Sequence, residues 1–136
     1  MTSHFSVPTP TAFAALRNQY LPLAGIPFRV SLHVSESGYP TGPGRTPAMQ
    51  VLALEAAVAT VAAGQAKFNI TDYRWFDLRD ADSASTSFED QYGLMTDTYA
   101  PKPAFGVFQQ LVASFGQRQP ARASALRRLR HALRLA

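Results

Sequence analysis

The chain has 136 residues, one domain's worth or part of a larger fold, and its lack of cysteine excludes disulfides and thiolate metal sites. An apolar fraction of 46% is that of a globular protein and argues against wholesale disorder. The formal charge of +4 is lopsided: six arginines lie beyond Gln117, leaving seven bases against nine acids before it. The body is therefore mildly acidic, and nothing in it argues for nucleic-acid binding.

The first residues lack a basic segment followed by an apolar core, so no secretory leader is read and no compartment is assigned. The most apolar helix candidate, 48–63, is interrupted by Gln50, Glu55 and Thr60 and is short for a bilayer span. A chain with no membrane partner is the expectation. In chain order, residues 1–10 form a polar, proline-containing lead-in. Thr11 can cap a helix through Phe13, Leu16, Tyr20 and Leu21, ending near Tyr20 because Pro22 is awkward inside it. Gly25 and Pro27 then turn the chain into a strand over 28–35, with Phe28, Val30, Leu32 and Val34 alternating.

Thr46 as N-cap and Pro47 at the first helical position open a second helix, expected over 46–64 with Gly64 as its stop. Its many alanines make it slim enough to lie close against a sheet. A second strand is expected over Ile70–Leu78 from its β-branched and aromatic content. The loop Arg79–Pro101 is long for a compact domain, which marks it as functional or disordered. The third helix opens at Pro103, with Phe105, Phe108, Leu111, Val112 and Phe115 as one apolar stripe, and ends at Gly116. Strands alternating with helices imply parallel βα units. The two strands are expected side by side, with the helix 46–64 crossing right-handedly between them. Two strands alone make a poor parallel sheet, so the chain reads as part of a larger α/β fold.

Glu36 falls where the first strand ends and a Gly/Pro loop begins, the edge at which α/β folds place working residues. With both strand ends in view, three segments resemble the closing part of a retaining TIM-barrel glycoside hydrolase, of the cellulase and β-glycosidase-like clan. They are Ser35–Glu36–Ser37–Gly38–Tyr39; Tyr73–Arg74–Trp75–Phe76–Asp77–Leu78–Arg79–Asp80; and Tyr92–Gly93–Leu94 with Lys102–Pro103–Ala104–Phe105. The resemblance covers about residues 26–116. It implies the C-terminal βαβα quarter of a (β/α)8 barrel, strands seven and eight with their helices, incomplete as it stands. It further implies hydrolysis of O-glycosyl bonds in a β-linked carbohydrate, with Glu36 as nucleophile and Trp75 and Tyr39 against the sugar. The clan takes its acid/base carboxylate from strand four, for which this chain has no segment, so the chain alone is expected to be inactive. The alternative is a non-catalytic remnant that binds carbohydrate or a partner.

Read on residue type alone, Glu36 could instead cap a loop or pair with Arg45, and Trp75 could be a core aromatic. His33 reads as a structural, hydrogen-bonded histidine. Asp77, Asp80 and Asp82 do not make an EF-hand, because Ala84, Ser85 and Gln91 stand where a ligand, a glycine and a glutamate are needed. Ion pairs around Arg74 and Arg79 explain these acids better. Gly42–Pro43–Gly44–Arg45–Thr46 lacks the lysine of a phosphate loop. Three scattered histidines have no zinc spacing, and no cofactor is expected. The domain is bounded at 1–117. The tail 118–136 is Arg-rich, either a basic amphipathic helix for an anionic surface or a frayed end without a role. Apolar strand faces without their neighbours would favour self-association.

Overall fold

The computed structural model describes residues 7–116, so the Arg-rich tail lies outside the described residues. Thr9, rather than Thr11, caps the first helix: its hydroxyl accepts the Ala12 N–H at 3.1 Å, and Pro10 takes the first helical position. Helix α1 (Pro10–Ala15) passes through a π turn (Leu16–Tyr20) into a last α turn, α2 (Leu21–Leu23). The helical segment thus outruns its expected end at Tyr20. The π turn resets the hydrogen-bond ladder, with Leu21 N–H donating to Leu16, so Pro22 enters at the start of a new turn, where its missing N–H does no harm.

Strand β1 runs over Leu32–Ser37, later than 28–35, and β2 over Ile70–Trp75, short of Leu78. They pair in parallel as neighbours in a two-stranded sheet. Phe28 and Val30 do not join β1, because Arg17 takes up their carbonyls. Helix α3 (Pro47–Phe68) links the strands, with the Thr46 hydroxyl accepting Met49 N–H at 3.2 Å as expected. Gly64 does not end it. The helix continues one turn to Asn69, whose left-handed backbone (φ 51°) supplies the stop, while Gly64 lies buried beneath Phe68 and Ile70. At 22 residues α3 is long and apolar enough to cross a bilayer by length and composition, although its Leu54 and Ala57 are fully buried among protein.

The core has two parts, one at each end of the sheet. Phe13, Leu21, Leu32, Phe68 and Ile70 join α1 and α2 to the N-terminal edge. Leu54, Leu94 and Ala104, flanked by Trp75, Phe105, Phe108 and Leu111, fill the C-terminal edge between α3 and α4 (Pro103–Gly116). Val112 and Phe115 were expected in the same stripe of α4 but stay largely exposed. The sheet's other face is bare and polar: His33, Ser35, Thr71 and Arg74 are exposed there. His33 lies 3.9 Å from Asp72, which Arg74 also grips at 3.0 Å. The result is a mixed α/β arrangement with helices packed on one face of a small parallel sheet.

Candidate functional site

Simple alternation along β1 places Glu36 with Leu32 and Val34, facing the helices. The pairing breaks that parity. Val34 pairs with Tyr73 and Ser37 with Trp75, so three steps along β1 match two along β2. An extra residue of this kind is a β-bulge, which re-aims the side chains beyond it. Ser37 turns inward, 1% exposed, and Glu36 turns out to solvent. Glu36 makes no hydrogen bond or ion pair among the described residues. Arg45, its possible partner, lies instead over the Phe88 ring, 3.8 Å from the centroid, with Tyr39 at 6.0 Å.

Glu36 and Trp75 share the C-terminal edge but not a face. Trp75 packs into the helix-side cluster with Leu54, Leu94 and Ala104, a core placement, and its Nε1 is buried with no acceptor among the described residues. Phe76 follows it, giving its N–H to Ser37 at 2.9 Å and meeting Tyr92 edge-on at 5.6 Å. Tyr39 is half-buried at the start of the β1–α3 loop. Beneath the edge, burial raises the pKa of the Tyr73 hydroxyl, and the neighbouring Ser37 side chain partly opposes the rise.

Two buried side chains tie the loops beyond the strands into one layer. Gln50, 0% exposed on α3, donates from its Nε2 to the carbonyls of Tyr39 (3.0 Å), Gly93 (3.1 Å) and Tyr92 (3.4 Å). Lys102, at the mouth of α4, reaches Asp80 at 2.7 Å and Thr41 at 2.8 Å. Asp80 also accepts the Gly93 N–H at 2.8 Å and the Ser83 hydroxyl at 2.9 Å, so this buried carboxylate has every neighbour it needs. The segment between β2 and α4 is therefore a built loop with its own core in Gln91, Tyr92 and Leu94. No local pattern points to Gln50, an ordinary polar residue in an apolar helix. The Lys102–Asp80 pair also departs from the expected pairing of loop acids with Arg74 and Arg79. Among the described residues only Asp72, on β2, pairs with Arg74; Arg79 donates to the Asp97 carbonyl at 3.1 Å and lies over Tyr99.

Two further carboxylates of this layer are bound to their own backbone, while Asp90 accepts the Ser85 hydroxyl at 2.7 Å. Asp77 accepts the N–H groups of Leu78 and Arg79, and Asp82 accepts that of Ala84. No cluster of three potential metal ligands occurs among the described residues. What the edge offers is the exposed, unpaired Glu36 carboxylate, nearby aromatic surface and a hydrogen-bonded loop layer behind them. No protein-family model, no curated protein and no solved structure matches this chain.

Proposed function

We propose that the chain is the closing quarter of a retaining glycoside hydrolase barrel, with β1 and β2 in the places of strands seven and eight and Glu36 as the nucleophile. One observation carries the reading: a bulge turns an unpaired carboxylate out at the C-terminal end of a parallel strand. Support comes from the three resembling segments, far apart in sequence, which meet at that edge through Gln50 and Lys102. Retaining hydrolysis needs two carboxyl groups about 5–5.5 Å apart. A Glu36 oxygen bonds to the anomeric carbon while the glycosidic C–O bond breaks, and a second carboxyl protonates the departing oxygen. Water then cleaves the glycosyl ester with that second group as base.

Among the described residues no segment stands in the place of strand four, from which the resembling clan takes the second group. Asp80 is locked to Lys102, and Asp77 and Asp82 are held by backbone N–H groups. The chain alone therefore leaves unactivated β-glycosides intact, and only an aryl glycoside whose leaving group needs little protonation is a feasible substrate. In a barrel completed by six further βα units, Glu36→Gln abolishes turnover while keeping shape. Turnover of an unactivated β-linked disaccharide by the isolated chain, lost on Glu36→Gln, would overturn the missing-acid argument. For sugar contact, Tyr39 is better placed than Trp75, whose ring is packed into the core.

A second reading is binding of carbohydrate without chemistry, favoured by the engagement of every loop acid just described. It requires the Tyr39→Ala variant to lose saccharide binding while Glu36→Gln keeps it, measured by calorimetry.

A further inference from the structure

At the opposite, N-terminal edge of the sheet lies an open cleft of about 400 Å³, lined by Arg17, Phe28, Arg29, Ala66, Lys67, Phe68 and Asn69. Three of these residues are cations and none is an acid. Arg17 is 1% exposed, and a buried charge normally has an opposite charge for a partner. Among the described residues it has only carbonyls and the Phe28 ring, 5.5 Å from its Cζ. Its Nη1 donates to Val30 at 2.8 Å and to Phe28, its Nη2 donates to Phe68, and its Nε has no partner among the described residues. Neither Arg29 nor Lys67 has an ion pair among the described residues. Asn69 fixes Arg29 beside the end of α3 by donating to the Arg29 carbonyl at 2.9 Å. The Lys67 ammonium stands 5.2 Å from the Phe68 ring centroid.

The carbonyls explain part of this charge. The C-terminus of a helix such as α3 carries about −0.5 of an elementary charge. Against three full positive charges that leaves a clear excess, and a concave surface focuses such a field on its contents. We propose that this cleft binds a small oxyanion of the phosphate class, with Arg29 and Lys67 closing on it above the buried Arg17. Arg17 acts mainly as the fixed charge beneath, because its terminal nitrogens already serve the backbone. The site stands at the end of the sheet away from Glu36 and is independent of the hydrolase reading.

The test is calorimetric titration of the full chain with inorganic phosphate, chloride holding ionic strength constant. Arg29→Gln and Lys67→Gln alter exposed side chains, and far-ultraviolet circular dichroism checks that both variants fold. Each is expected to weaken binding by about fivefold or more, the factor that an ion pair at the upper end of the exposed range supplies. Arg29→Lys retains binding, and Arg118→Gln in the basic tail leaves it unchanged. Absence of binding heat above the chloride control overturns the proposal. So does binding that weakens by less than about twofold in both glutamine variants, which is below the effect of a useful ion pair.

Discussion

Replacing Lys102 by Met tests whether the loop layer depends on its buried ion pair. The side chains of Lys102 and Asp80 are 9% and 0% exposed, and their 2.7 Å contact is the only charge partner either has among the described residues. Methionine fills the aliphatic volume but leaves the Asp80 carboxylate buried with only Gly93 N–H and Ser83 Oγ to solvate it. Breaking a buried pair from one side costs about 3–5 kcal/mol, a large share of the roughly 5–15 kcal/mol that holds a domain together. Asp80→Asn is expected to cost less, about 2 kcal/mol, because the amide oxygen still accepts from Gly93 and Lys102 keeps Thr41 and the Gln91 carbonyl. The double variant then falls well short of the sum of the two. Urea denaturation followed by fluorescence of Trp75 reads all three, since the one tryptophan packs against Leu94 and Ala104 in the same layer. A loss below about 1 kcal/mol for Lys102→Met, or strict additivity in the double variant, would show that the pair does not organise these loops.

A Cβ at Gly93 would stand 2.2 Å from Asp80 N and 2.5 Å from Met95 O, and at Gly38 1.9 Å from Phe76 O, so alanine at either position should cost more than about 3 kcal/mol in the same denaturation experiment. Burial holds the Tyr73 pKa above its ordinary 10.0, so the unfolded chain releases this proton first as pH rises. Its contribution to stability is complete below about pH 10 and is lost above it; Tyr73→Phe should shrink that alkaline fall, and an unchanged pH profile would refute the assignment. Leu23 (85% exposed), Leu52 (65%) and Phe28 (56%) leave apolar surface uncovered, so sedimentation should show concentration-dependent association that Leu23→Ser and Leu52→Ser reduce.

Helix α4 begins where Pro103 places it, and the Thr46–Pro47 start of α3 is equally plain, because caps and prolines act over three or four residues. The parallel strand pair was legible too, since one long helix between two β-rich segments leaves little other choice. Boundaries set by distant contacts were not. Arg17 draws Phe28 and Val30 out of β1, and the π turn carries the first helix past Pro22. The stop at Asn69 rather than Gly64 depends on Phe68 and Ile70 closing over the glycine.

The candidate site divides in the same way. Local sequence determined that Glu36 ends a strand in a Gly/Pro loop and that Trp75 ends the strand beside it, because chain order and the parallel connection fix which edge both occupy. Tertiary structure alone decided their faces. The register shift between Val34 and Ser37 turns Glu36 to solvent, while packing against Leu54 and Leu94 takes Trp75 into the core. It also decided that Lys102 meets Asp80, 22 residues earlier, and that Gln50 gathers three carbonyls from two loops. Side-chain period is a local property, but a bulge is settled between two strands, and a buried polar group finds its partner only when the chain has closed around it.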